Sequence, residues 1–424
     1  MKLLFFIFIG FSIIFPDRIE LPQYLTNEES KKIDVIYSSV KRTDPPVGPV
    51  KSIAEYEPMQ GVLIRYPFGI STSIIREIAE DAIVYCLVSS SQQNSAYNSM
   101  NSGGVNMSNV EFIIGSTDSY WTRDYGPWWI IDGNGDIGIV DFSYNRPRPN
   151  DNQAPYKVSQ YLDVPYYSAA FVSTGGNYMT DGYGISASSH IAYTENPECN
   201  TNNQTSVPLA SCEYVDNIMK DYYGIDTYHV VADPNNEYID HIDCWGKFLS
   251  PNKVLIRKVP TSHPQYNEIE EVAEYFSSIL TANGTLWEVF RVDTPNDQPY
   301  TNSLILNNKV FVPVMNSSWD GPALEIYEGA MPDHIILPYT GSWESTDALH
   351  CRVKGIPDLS FMQYDSGDIN MDSYINVLDI VLVVNFVLGV QQPSSTQTEL
   401  SDINNDSIIN ILDIITIVNL ILGN

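Results

Sequence analysis

Gly61-Val62-Leu63-Ile64-Arg65-Tyr66, then Ser71 to Asp81, then Ala82-Ile83-Val84-Tyr85-Cys86-Leu87-Val88 follow one another near the start of the chain. The first and third stretches are short, apolar and β-branched, and read as strands. The second carries apolar residues at helical spacing. Strand, helix, strand is the signature of an α/β domain. The alternation continues through Val110-Glu111-Phe112-Ile113-Ile114, Ile137-Gly138-Ile139-Val140-Asp141-Phe142, Val254-Leu255-Ile256-Arg257 and Val310-Phe311-Val312-Pro313-Val314, with a further helical pattern from Asn267 to Leu280. The region from about Tyr56 to Pro357 is large for one sheet and suits several repeated strand–helix units.

The whole chain has 424 residues, which suggests two or three domains. Apolar residues make up 43 %, enough for a sizeable core. With 52 Asp and Glu against 22 Lys and Arg, the net charge is −30. That balance excludes a binder that neutralises nucleic-acid phosphates, and it opposes attraction to an anionic membrane. A cationic partner, bound metal or plain solubility remains open. Met1-Lys2 and the apolar run Leu3 to Phe15 form a secretory signal pattern over residues 1–16, too short for a membrane span. The expectation is a secreted or cell-surface protein with no membrane span after signal removal. A retained N-terminal anchor is the alternative. In an oxidising compartment Cys199 and Cys212 can bridge the polar loop between them, and Cys86 reads as a core thiol. Cys244 and Cys351 have polar, reactive neighbours.

Residues 361–424 change character: they hold no Lys or Arg. Gly367-Asp368-Ile369-Asn370-Met371-Asp372-Ser373 returns 34 residues later as Ser401-Asp402-Ile403-Asn404-Asn405-Asp406-Ser407. Counting each Asp as position one, oxygen-bearing side chains fall at positions 1, 3, 5, 9 and 12: Asp368, Asn370, Asp372, Asn376 and Asp379, then Asp402, Asn404, Asp406, Asn410 and Asp413. Alternate oxygen donors in a tight loop suit Ca2+. The pair resembles a type I dockerin, although Ser373 and Ser407 replace the usual Gly at position six. The resemblance implies a small all-α calcium-binding module that docks onto a cohesin-like partner. Val377-Leu378 and Ile411-Leu412 are candidates for either the docking face or the module's core.

Four segments of the larger region carry chemistry: Trp121-Thr122-Arg123-Asp124-Tyr125-Gly126-Pro127, His241-Ile242-Asp243-Cys244-Trp245, Tyr300-Thr301-Asn302-Ser303 and Leu349-His350-Cys351-Arg352. A thiol, an imidazole and two carboxylates suit attack on a cationic carbon: sulfur attacks, imidazole shuttles protons, and carboxylates grip a planar guanidinium. On a strand, His241 and Asp243 would share a face. Taken singly, a Cys or His of this kind is more often structural. Together, in this order, and with Thr174-Gly175-Gly176-Asn177, they resemble the bacterial peptidylarginine deiminase family, which includes agmatine deiminases, over roughly Ala54 to Pro357. The resemblance implies a pseudo-fivefold α/β propeller, occupying residues 17–360 with its motifs from about 54. It also implies Cys351 as nucleophile, His241 as acid and base, Asp124 and Asp243 on the guanidinium, Asn302 beside the nucleophile, Trp121 over the substrate stem, and no cofactor for catalysis. His350, read on a strand, points away and receives no role. Gly175 and Gly176 read as a tight turn and not as a phosphate loop.

Arg146-Pro147-Arg148 resembles the pair that clamps the carboxylate of a C-terminal arginine in secreted members of that family. The reading is therefore hydrolysis of arginine to citrulline and ammonia, through a covalent thiouronium on Cys351, at the C-terminal arginine of peptides. An agmatine deiminase is one alternative, and a non-catalytic dockerin-anchored binding protein is another.

Overall fold

The apolar runs form strands because their side chains are buried on both faces, as in Met59–Arg65 and Lys309–Val314. The computed structural model describes residues 20–38, 42–236, 239–360, 366–371, 374–393, 395–404, 406 and 408–422. The expected signal segment 1–16 lies outside them, as do Asp372, Ser373 and Ser407.

The strands assemble into five separate sheets, giving a mixed α/β fold. Four of these follow one plan: an antiparallel pair, then a helix, then a strand parallel to the second. Trp128–Ile131 and Ile137–Tyr144 are followed by helix Ala154–Leu162 and strand Tyr166–Ser173. Met179–Thr180 and Ile185–Ser189 are followed by Glu213–Tyr223 and Thr227–Val231. Gly246–Ser250 and Lys253–Lys258 are followed by Tyr266–Ser278 and Glu288–Asp293. Leu304–Leu306 and Lys309–Val314 are followed by Asp320–Ala330 and Ile335–Thr340. The fifth sheet joins the two ends of the domain. Met59–Arg65, helix Thr72–Ile78, Ile83–Val88 and Val110–Ile114 come from its start, and Lys354–Pro357 from its end pairs antiparallel with Met59–Arg65.

Helical periodicity shows in what each helix buries. In Tyr266–Ser278 the buried side chains are Ile269, Val272, Ala273 and Phe276, spaced three and four apart on one stripe. Helix Glu213–Tyr223 ends at Gly224, whose φ of 66° is the left-handed value glycine adopts freely; a Cβ there would also strike the Val50 carbonyl. The helices lie against the sheets over separate apolar clusters. Cys199 and Cys212 are disulfide-bonded, while Cys86, Cys244 and Cys351 are buried free thiols.

Residues 366–422 pack around Ile369, Met371, Val383, Phe386, Leu400 and Ile417. Their helices are Val377–Val387, Ser395–Ser401 and Ile411–Leu422. Val377, Leu378, Ile411 and Leu412 are more than half exposed, so they belong to the surface of this module and not to its core. Among the described residues no helix is long and apolar enough to cross a membrane.

Candidate active site

Each sheet's first antiparallel strand, or in the fifth case Lys354–Pro357, is entered from a short turn, and those five turns carry the polar residues picked out in the sequence. Asp124 precedes Trp128–Ile131, Gly175–Asn177 precedes Met179–Thr180, and His241 to Cys244 precedes Gly246–Ser250. Asn302 precedes Leu304–Leu306, and Cys351 precedes Lys354–Pro357. His241 to Cys244 and His350 to Arg352 are 3-10 turns, not strands. Successive side chains there do not alternate faces, so His241 and Asp243 share no strand face and His350 is not turned away from Cys351.

Asn302 organises the Cys351 turn. Its side-chain oxygen accepts from the N–H groups of Ala348 at 3.0 Å, His350 at 2.9 Å and Cys351 at 3.4 Å. Its Nδ2 donates to Cys351 Sγ at 3.1 Å. Arg123 ties the same turn to the Asp124 turn: its N–H donates to the Cys351 carbonyl at 3.2 Å and its Nε to the His350 carbonyl at 3.3 Å. Asp243 Oδ2 lies 3.6 Å from Cys351 Sγ. His241 Nδ1 stands 3.5 Å from Asp124 Oδ1.

His350, which the sequence reading left without a role, is wedged between two carboxylates. Nδ1 is 2.6 Å from Asp243 Oδ2, and Nε2 is 2.5 Å from Glu55 Oε2. It thus holds the carboxylate next to the sulfur. Glu55 also pairs with Arg123 and Lys247, each at 2.8 Å. No motif announces Glu55 in the sequence, because its partners are far away along the chain. Gly176 is more than a turn residue: a Cβ there would lie 2.5 Å from His241 Nδ1 and 2.7 Å from Asp124 Oδ1. Asp347 was also missed. Both of its buried oxygens lack a hydrogen-bond partner among the described residues, and it faces Arg352 and Cys351.

The electrostatics follow from burial. Burial and the nearby Asp243 push the Asp124 carboxyl up to about 8. Burial, with Asp124 and Asp243 among the neighbouring charges, raises Asp347 well above the usual carboxylate range. Burial likewise pushes the Cys351 thiol well up and draws His241 down to about 3. Cys351 is thus a thiol and His241 a neutral imidazole, among carboxylates that repel one another. Such a site favours a cation that can lie between them.

The remaining predicted residues meet a different partner. Arg146 and Arg148 are buried, so they do not form an exposed basic turn. Arg146 Nε donates to the Gln23 carbonyl at 2.9 Å, and Arg148 Nε donates to Glu29 Oε1 at 2.7 Å. Trp121 donates its indole N–H to the Leu21 carbonyl at 2.9 Å and lies against the Arg352 guanidinium. For cations, the Asp243 carboxylate and the Cys244 and Cys351 sulfurs lie within 4.8 Å of one another. In the tail, Asp379 folds back on its loop, accepting from the N–H groups of Ile369 at 2.7 Å and Asn370 at 3.0 Å. Asp402 and Asn404 converge on the Asp406 N–H. Asn376 and Asn410 instead accept from the N–H groups of Leu378 and Leu412, capping the helices.

Comparison with known proteins places this arrangement. The family model described as Porphyromonas-type peptidyl-arginine deiminase matches residues 54–357, and the dockerin type I model matches 366–422. An agmatine deiminase of Ectopseudomonas mendocina is 24 % identical over 316 residues, 64 % of this chain and 81 % of that protein. The structure of an agmatine deiminase of Enterococcus faecalis superposes with a TM-score of 0.63 at 18 % identity, covering 75 % of this chain and all of that one. That of a candidate arginine deiminase from Porphyromonas gingivalis superposes at 0.62 with 17 % identity, covering 73 % and 98 %. These superpositions establish the fold.

Gly176→Ala should reduce kcat/KM for the guanidine substrate about 100-fold, by pushing His241 and Asp124 apart, and should cost about 1–3 kcal/mol of stability through overpacking. Steady-state kinetics beside a melting curve would measure both.

Proposed function

Since this chain belongs to the Porphyromonas-type peptidyl-arginine deiminase family by its match across residues 54–357, we propose that it is a hydrolase of C–N bonds in linear amidines, converting arginine to citrulline and ammonia. The observation that carries the reading is the convergence of Cys351, Asn302, Asp243, His241 and Asp124 from turns that precede strands of different sheets. The repetition of that placement around five sheets supports a pseudo-fivefold α/β propeller spanning residues 17–360.

Asp124 and Asp243 hold the guanidinium nitrogens. His241, neutral at rest, takes the Cys351 proton as sulfur attacks the guanidinium carbon. The tetrahedral adduct collapses: the C–N bond breaks, the nitrogen leaves as ammonia with the proton from His241, and a thiouronium remains on Cys351. His241 then deprotonates water. The new C–O bond forms, the C–S bond breaks, and citrulline departs as the proton returns to sulfur. Asn302 and His350 keep the sulfur and Asp243 in place.

Arginine at the C-terminus of a peptide is the favoured substrate, because Arg146 and Arg148 are buried beside the site and present charge-assisted donors. Agmatine has no carboxylate to meet them, although relatives of this chain are named agmatine deiminases. A peptide ending in arginine should give citrulline faster than agmatine or an internal-arginine peptide. Arg148→Ala should lower kcat/KM for that peptide relative to agmatine roughly 10- to 100-fold. A preference for agmatine would overturn the peptide assignment and leave deimination standing.

Asp124 predicts a pH dependence. Its carboxyl, pushed up to about 8, is largely protonated at pH 6 and must ionise to hold a cation. In Cys351→Ala, affinity for the arginine peptide should therefore strengthen up to about tenfold per pH unit toward pH 8 and level off above it. Calorimetry in buffers of different ionisation enthalpy should register the proton released.

The tail, residues 361–424, is read as a calcium-binding dockerin that brings the secreted enzyme to a cohesin-like partner at a scaffold or cell surface. The donors are all oxygens, which suits Ca2+: Asp368, Asn370, Asp372 and Asp379, then Asp402, Asn404, Asp406 and Asp413. The exposed Val377-Leu378 and Ile411-Leu412 pairs offer the docking face. Calorimetric titration should find about two Ca2+ ions per chain, and a chelator should lower the melting temperature of this module. Asp379→Ala with Asp413→Ala should abolish both effects.

A further inference from the structure

Residues 20–29 lie against the site and meet the groups assigned to its substrate. The Gln23 side chain is fully buried, and its Nε2 donates to Asp124 Oδ2 at 2.8 Å. The carbonyl of the same residue accepts from Arg146 Nε at 2.9 Å. One residue therefore joins the carboxylate assigned to the guanidinium and an arginine assigned to the substrate's carboxyl end. Arg148 is satisfied by the same segment: Nε and Nη2 reach the Glu29 carboxylate at 2.7 and 3.3 Å, and Nη2 donates to the Pro22 carbonyl at 2.6 Å. Thr26 donates to Glu29 through both its N–H and its hydroxyl, presenting that carboxylate to Arg148. Leu21 takes the Trp121 indole N–H, and Glu20 pairs with Arg65.

The match to a substrate is close but incomplete. A carboxamide is a planar carbon bearing an NH2 group, as one half of a guanidinium is. A guanidinium offers donors only, whereas the Gln23 Oε1 is buried with no hydrogen-bond partner among the described residues. The carboxamide carbon also stands two bonds closer to the main chain than the guanidinium carbon of arginine, so Gln23 reaches Asp124 without presenting a group to be cleaved at the sulfur.

We propose that residues 20–38 are a substrate-mimicking plug, with Gln23 in the guanidinium subsite and its carbonyl and Glu29 on Arg146 and Arg148, which keeps the enzyme latent until the segment is cut away or displaced. This rests on the deiminase reading of the same site. The chain is anchored anew just after the segment: the Thr43 N–H donates to the Ser168 carbonyl at 3.0 Å, and the Thr43 carbonyl accepts from Tyr222 OH at 2.5 Å. Arg42, immediately before that anchor, is exposed. Cleavage after this basic residue would free the plug and leave the rest of the fold attached.

The test compares the full chain, Gln23→Ala with Glu29→Ala in the full chain, and the full chain cut after Arg42 by a trypsin-like protease. Two readouts are used: citrulline from a peptide ending in arginine, and the rate of Cys351 alkylation by iodoacetamide, followed by mass spectrometry. An internal competitor lowers apparent affinity by the fraction of open molecules. Both opened forms should therefore show apparent KM lowered roughly tenfold or more with kcat nearly unchanged, and Cys351 should be alkylated faster by a similar factor. A synthetic peptide of residues 20–38 should restore the high KM of the cut form. Unchanged or slower alkylation in both opened forms overturns the plug. Faster alkylation with no citrulline from any guanidine would uphold the plug and sink the deiminase reading instead.

Discussion

One largely buried carboxylate, 15 % exposed, connects most of the larger domain. Glu55 accepts from His350, Arg123 and Lys247, and also from the Ile305 N–H at 3.0 Å. These partners precede or lie within strands of four of the five sheets. Burial alone would raise the Glu55 carboxyl; His350, Lys247 and Arg123 outweigh it and hold the group well below the usual range. A buried ion group of this kind contributes little net stability over an apolar core, but removing one member is costly. Its consequence is positional: strands from distant parts of the chain must bring their turns together around a single anion.

Asp243 and Cys351 inherit their places from that arrangement. His350 links Glu55 to Asp243, and Arg123 links Glu55 to the main chain of the Cys351 turn. The site beyond gathers three carboxylates, Asp124, Asp243 and Asp347, around one sulfur. In a buried setting such an excess resists ionisation, and it is relieved by a planar cation that donates to several oxygens at once. The same logic explains why a neutral amide donor, Gln23, is the group the chain itself sets against Asp124.

Much of this was legible beforehand in the residues. Met59–Arg65, Ile83–Val88 and Lys309–Val314 appeared as apolar runs because strands covered on both faces cannot hide their composition. The tail declared itself by its repeat. His350 was misread because a 3-10 turn does not alternate faces, and no local pattern separates such a turn from a strand end. Glu55 and Asp347 had no signal, since their significance lies in partners hundreds of residues away or in burial. Arg146 and Arg148 were recognised, yet Gln23 and Glu29, their partners in the fold, lie more than a hundred residues upstream in a stretch with no motif.

By itself the sequence determined the residue types available for chemistry, their order along the chain and the alternation of strands and helices. Each of these is a local property, written in the spacing of apolar side chains and in short polar motifs. Only the tertiary structure decided which groups meet. It placed five strand-entry turns around one centre, wedged His350 between two acids, required a glycine at 176, and laid residues 20–29 against the site. The physical reason is that hydrogen bonds and desolvation act over a few ångströms of space, whatever the distance along the chain.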